Sequence, residues 1–397
     1  MFFTFLKRIR SVSVMLLLFL CTAGLFPLRT GAQESDVFTA IITSDLHYTA
    51  SDTSTLVIPA MSCIDGIADA MIAEVIDRHP DVFIITGDIT NSGSPQDEQI
   101  LARKLQRVQD AGILVVLTTG NHDFNRSAPS DFADNYRAFL SDGIKKDPAS
   151  LSCVYEIGPV VIMAMDDNAV TLGGEGKFSE ETLQWLAERL DEYEGKKVFF
   201  LSHHTVLLGR SDPASRSYRI QNETLPLLLH NHQVRLLLCG HLHAQIISAY
   251  DSSEGMYEIV SSMPVSGSHS LGFLKLEGDT VSYHTECMDF ETYGSAGLAE
   301  KLQAADTAFG DFYTDTISEI VAREVSSPDQ QEQILSLLKR FILYYSDGTL
   351  YEHREEFLAD LSFEEMVDVL WDYNYGPWLR SSIDNATLSS NTLTFSY

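Results

Sequence analysis

The chain has 397 residues, 45% of them hydrophobic, with 27 Lys and Arg against 56 Asp and Glu and a formal charge of -29. That size supports one large α/β domain plus a smaller unit. The acidity excludes a phosphate-neutralising surface for a nucleic acid polymer, and its first consequence is solubility.

The N-terminus reads as an export signal. Lys7, Arg8 and Arg10 precede an apolar stretch from Ser11 to Phe26, and Thr30-Gly31-Ala32 offers small residues for cleavage. The stretch is short for a membrane span. Residues 1–32 are therefore expected to send the protein out of the cytoplasm, to the cell envelope or medium, with an uncleaved membrane anchor as the other reading. Cys63, Cys153, Cys239 and Cys287 remain, and an even number in an exported chain permits disulfides without assigning them.

A main α/β domain is expected over residues 33–290. Residues 37–44 read as a strand, Ile64 to Arg78 as a helix and Asp81 to Thr86 as a strand. Asp97 to Ala111 follows as a helix, Ile113 to Thr119 as a strand and 131–140 as helical. Val154 to Ile157 and Val160 to Met165 read as paired strands around Gly158-Pro159. Ser179 opens a helix, Lys197 to Leu201 is a strand, and Asn222 is expected to cap a helix ending near His230. Strands follow over 257–263, 271–276 and 280–286, with Gly278-Asp279 as a hairpin turn. From 291 to 397 the pattern turns helical, with helices expected at Ala304 to Glu324, Asp329 to Tyr345, Glu352 to Leu361 and Phe363 to Tyr373. That region reads as a C-terminal helical domain.

Five clusters of hard-ligand residues recur in the main domain. They are Asp45-Leu46-His47, Gly87-Asp88, Gly120-Asn121-His122-Asp123, His203-His204 and Gly240-His241-Leu242-His243. Each follows an apolar run of the kind that forms a buried parallel strand, and α/β folds present their sites at strand C-termini. Any one cluster alone would be an ordinary polar loop. Together they line a pocket with carboxylate, amide and imidazole, the ligand set of a two-metal hydrolytic centre. Asp45 and His47 alternate by two, so on an extended strand end they would share a side. Asp88 follows a glycine that permits a sharp turn. A carboxylate can bridge two ions, and water shared between such ions is acidified into a nucleophile.

The ordered pattern D-x-H, G-D, G-N-H-D, H, G-H-x-H resembles the calcineurin-like metallophosphoesterase superfamily over roughly residues 38 to 285. The resemblance implies a four-layer α/β/β/α sandwich, a catalytic domain over 33–290, and a cofactor of two divalent ions, Mn, Fe or Zn. It implies that Asp45, His47, Asp88 and His243 hold one ion, and that Asp88, Asn121, His203 and His241 hold the other. His122 would protonate the leaving oxygen, and Asp123 would orient and charge that imidazole. His203 takes the usual ligand position of the pair, with His204 as the competing choice. The helical extension is similar to that of exported bacterial class III cyclic nucleotide phosphodiesterases, which implies a small phosphodiester substrate. A phosphomonoesterase or nucleotidase, a phospholipid diesterase and a non-enzymatic surface protein are the rival readings.

Overall fold

The computed structural model describes residues 37–50, 58–172, 174–208, 218–250 and 255–397. The expected export signal over 1–32 lies outside them. Among the described residues no helix is long and apolar enough to cross a membrane, and Cys63, Cys153, Cys239 and Cys287 are free thiols.

Strand β1 (Val37–Thr43) is followed by helix α1 (Ile64–Arg78), β2 (Val82–Thr86), α2 (Pro95–Asp110) and β3 (Leu114–Thr118). Helices α3 (Pro129–Asn135) and α4 (Arg137–Leu140) lead to the short β4 (Lys145–Lys146), then β5 (Cys153–Ile157) and β6 (Val160–Ala164). Next come α5 (Glu180–Glu192), β7 (Lys197–Leu201), α6 (Leu225–Asn231), β8 (Leu236–Cys239), β9 (Ile246–Ala249) and β10 (Tyr257–Val260). The hairpin of β11 (Ser270–Glu277) and β12 (Thr280–Cys287) precedes five helices: α7 (Leu298–Glu324), α8 (Pro328–Ser346), α9 (Leu350–Ala359), α10 (Leu361–Val369) and α11 (Tyr375–Asn385). The chain ends in β13 (Thr392–Ser396).

The strands form two mixed sheets, one ordered β13-β12-β11-β1-β2-β3 and the other β4-β5-β6-β7-β8-β10-β9. Their facing sides share one core, in which Phe38, Ile42 and Ile84 of the first sheet meet Ile162, Phe199 and Leu238 of the second. Helices α5 and α6 cover the outer face of the second sheet through Trp185, Leu186, Leu225 and Leu229. Helices α1 and α2 cover the first sheet through Ile67, Met71, Leu101 and Leu105, in a core that continues into Leu337, Phe341, Phe357 and Phe363 of the C-terminal helices. The layers are helix, sheet, sheet, helix. Each buried Leu, Ile or Phe contributes about 1.5–3 kcal/mol.

Three local expectations are corrected. The segment expected at 131–140 is two short helices broken at Tyr136. Asn222 does not cap α6, whose N-cap is Thr224; its carboxamide instead accepts from Phe178 N and donates to Phe178 O. The region after 291 ends in a strand, β13, paired antiparallel with β12 from Thr280↔Ser396 to His284↔Thr392. The alternation of exposed Thr392, Thr394 and Ser396 with inward Leu393 and Phe395 was the available signal.

Candidate metal centre

Five of the clusters sit just beyond the C-terminal ends of β1, β2, β3, β7 and β8. Because β1, β2 and β3 run parallel, with Thr43 opposite Ile85 and Thr86 opposite Thr118, their following loops leave side by side. The first two loops continue the ladder, as Asp45 N donates to Gly87 O at 3.1 Å and His47 N to Asp88 O at 2.9 Å. In the second sheet, Gly240 N donates to His203 O at 3.0 Å, which sets the last two clusters together. Asp45 joins the sheets: its two carboxylate oxygens accept from His241 N at 3.2 and 2.9 Å.

The backbone is strained where the ligands turn. Asp45, His47, Asp88, His241 and His243 have φ of 50°, 44°, 46°, 70° and 54°. Five left-handed residues at one place, each costing on the order of 1–3 kcal/mol, mark a functional site. This changes one expectation: Asp45 and His47 meet through left-handed turns beyond β1, not along an extended end. Gly87, at φ 93°, packs so closely that a Cβ there would lie 2.5 Å from His203 Nδ1. A Cβ at Gly120 would lie 2.0 Å from Asp88 N.

Asp45, His47, Asp88 and His243 offer ligand atoms within 4.8 Å of one another, and so do Asp88, His203 and His241. Asp88 belongs to both groups. His47 Nε2 lies 2.9 Å from His243 Nε2 and 3.6 Å from Asp88 Oδ2. On the other side, His203 Nε2 lies 3.4 Å from Asp88 Oδ2, 3.2 Å from Asn121 Oδ1 and 3.3 Å from His241 Nδ1. All seven sequence-expected ligands are thus gathered.

Their chemistry fits two cations. His203 Nδ1 donates to Thr86 O at 2.9 Å, which leaves Nε2 as a lone-pair donor facing Asp88. Burial, against the pull of Asp88, pushes the His47 imidazole down to about 3, so it stays neutral. Burial and the neighbouring His204 and His203 hold His241 well below its ordinary value. Burial opposes ionisation of Asp45 and Asp88, but surrounding imidazoles outweigh it and hold both below the usual carboxylate range. Burial also opposes a charged His203, yet Asp88, Asp45 and Asp167 prevail and raise it to about 10, so its Nε2 carries a proton that a bound cation would displace to use the lone pair. A buried anionic field lined by imine nitrogens is what a divalent ion neutralises.

The structure separates the histidine pair. His203 faces Asp88, whereas His204 points its Nδ1 at Asp167 Oδ1, 3.2 Å away, with its ring centroid 4.2 Å from that of His241 at a 40° tilt. Asp167 also accepts the backbone amides of His203 at 3.1 Å and His204 at 2.8 Å. Asp167 is a functional residue absent from the five clusters, and the Asp166-Asp167-Asn168 run at the end of an apolar strand is the signal for it in the sequence.

One role is corrected. Asp123 does not touch His122. Its carboxylate accepts from Ile89 N, Thr90 N, Thr90 Oγ1 and Gly120 N at 3.2, 2.8, 3.1 and 2.9 Å. Burial and the neighbouring Asp88 push its carboxyl up to about 7. Asp123 therefore fixes loop backbone. The His122 ring is oriented by Asn91, whose carbonyl oxygen accepts from Nδ1 at 2.8 Å. The Asn91 side-chain oxygen meets His47 Nδ1 at 3.2 Å, so one residue braces both rings. A lone Asn in a loop carried no sequence signal. His122 N also donates to Asp88 Oδ1 at 2.7 Å, which puts the ring beside the shared carboxylate.

A sequence profile described as calcineurin-like phosphoesterase matches residues 38–245. The chain belongs to that family. Among its curated relatives is a "probable glycerophosphodiester phosphodiesterase" of Arcobacter nitrofigilis, 32% identical over 166 residues, covering 41% of this chain and 57% of the relative. A 3′,5′-cyclic adenosine monophosphate phosphodiesterase of Escherichia coli is 28% identical over 167 residues, covering 42% of this chain and 55% of the relative. The chain thus spans less than two thirds of these relatives. A dimetal phosphatase from Danio rerio aligns in structure with a TM-score of 0.48 and 16% identity, covering 64% of this chain and 96% of that one. Within this calcineurin-like chain, the profile match takes in all five ligand clusters and stops at Gln245, before the C-terminal helices.

Proposed function

We propose that the protein is a dinuclear-metal phosphodiesterase acting on small phosphodiesters, cyclic nucleotides foremost. The observation that carries it is Asp88, shared by two converging ligand groups and bonded to the amide of His122. Asp45, His47, Asp88 and His243 would hold one ion, and Asp88, Asn121, His203 and His241 the other. The donor set suits Mn, Fe or Zn. When bound, the ions supply water activation and neutralise phosphate charge. The chain's own part is proton transfer. His122 commits Nδ1 to the Asn91 carbonyl, so Nε2 is the nitrogen that serves the leaving oxygen. The names of the relatives support a small diester, since they cover a cyclic nucleotide and a glycerophosphodiester. The basic and apolar N-terminus supports action outside the cytoplasm.

The test is a panel of cyclic and linear diesters and monoesters, assayed on protein reconstituted with Mn²⁺. Diesters, including bis(p-nitrophenyl) phosphate, are expected to turn over faster than p-nitrophenyl phosphate. A monoester preference would move the assignment to a nucleotidase or phosphomonoesterase.

A further inference from the structure

Tyr218 stands at the edge of the metal centre with its ring in solvent. Its centroid lies 6.1 Å from the His241 ring, tilted by 51°. It is 47% exposed, while its backbone carbonyl is hydrogen-bonded. Tyr218 O accepts from Thr205 N at 3.2 Å and from Thr205 Oγ1 at 3.1 Å. Thr205 lies two residues beyond His203, so the Tyr218 main chain is pinned to the segment that carries a candidate ligand. Other exposed aromatics, Tyr250, Tyr351 and Trp371, make no ring contact with a candidate ligand among the described residues.

Backbone hydrogen bonds tie neighbouring segments to this edge. Gln221 N donates to Gly176 O at 2.8 Å, which ties the Tyr218 segment to the loop bearing exposed Val170 and Leu172. On the other flank, Gln245 N donates to Ser346 O at 3.1 Å and joins the His243 loop to the end of α8. Tyr345, next to Ser346, packs edge-on against Trp378 with centroids 5.2 Å apart. The C-terminal helices therefore reach the same edge of the site.

We infer that Tyr218 is a specificity residue that stacks on the aromatic base of the substrate, while the phosphate lies at the ligands below. A ring held by a fixed backbone binds a flat partner at little entropic cost. Stacking of a base on such a ring is worth about tenfold or more in affinity. The inference rests on the phosphodiesterase reading and narrows its substrate to nucleotides over alkyl diesters.

The test compares AMP with ribose 5-phosphate, which share a phosphorylated ribose and differ by the base. Calorimetric titration of the Mn²⁺-loaded protein reads binding without turnover. Wild type is expected to prefer AMP by about tenfold. Tyr218→Phe is expected to keep that preference, and Tyr218→Ala to reduce it to within about twofold by weakening AMP alone. Equal affinities in wild type, or an unchanged preference in Tyr218→Ala, would overturn the inference. A protein that hydrolyses bis(p-nitrophenyl) phosphate but shows either result loses only the stacking role. A protein that hydrolyses no diester loses the phosphodiesterase reading itself.

Discussion

His122 Nδ1 and the Asn91 carbonyl oxygen lie 2.8 Å apart. A carbonyl can only accept, so this contact fixes the tautomer and leaves Nε2 for proton transfer. The ring lies outside both ligand groups. His122→Ala should therefore lower kcat by about 10²–10⁴-fold while both ions stay bound. Rates and metal content measured on one preparation check this, and loss of metal would make His122 a ligand instead.

The shared position of Asp88 distinguishes it from Asp45. Asp88→Ala should strip metal from both sites, whereas Asp45→Ala should leave the His203 side occupied. Elemental analysis after dialysis gives the ratio of ion to chain. Equal metal loss in the two variants would rule out a bridging carboxylate.

Asp167 supports the ligands without belonging to either group. Its oxygens hold the amides of His203 and His204 and the His204 ring. Asp167→Ala should weaken metal retention by about 10–100-fold in chelator competition. His203→Ala should abolish binding on its side and His204→Ala should not. The reverse pattern would exchange the two histidines.

Phe341 is fully buried, with its ring between Tyr345, Phe357, Phe363 and Trp378. Phe341→Ala should cost about 3–5 kcal/mol, read from denaturant unfolding. A loss under about 1 kcal/mol would mean that the helices contribute little to the cooperative unit.

Burial, only partly offset by Ser268 and His269, pushes Asp347 up from 3.8 to about 6. The folded state thus prefers the protonated form. The resulting stability is complete below about pH 4 and is lost as pH rises through about 6. Unfolding midpoints of wild type and Asp347→Asn between pH 4 and 7 should differ in slope, with the variant gaining relative stability as pH rises. Parallel curves would refute it.

Much of this was legible in one dimension. The helix at Ile64–Arg78 and the strands ending before Asp45, Asp88 and Asn121 announce themselves by local period. The order of the five clusters is likewise a property of the chain itself, because each is a short polar turn after an apolar run. That order was enough to name the candidate donors that the fold brings together. Tertiary structure decided what depended on distant neighbours. The separation of His203 from His204 comes from Thr86, the last residue of β2, and Asp167, in the loop beyond β6 of the other sheet. The roles of Asn91 and Asp123 turn on backbone groups, which leave no trace in residue type. The return of β13 to β12 and the reach of α8 to Gln245 are contacts across 100 or more residues. Local propensity carries no information about such pairings, because their energy exists only once both partners are in place.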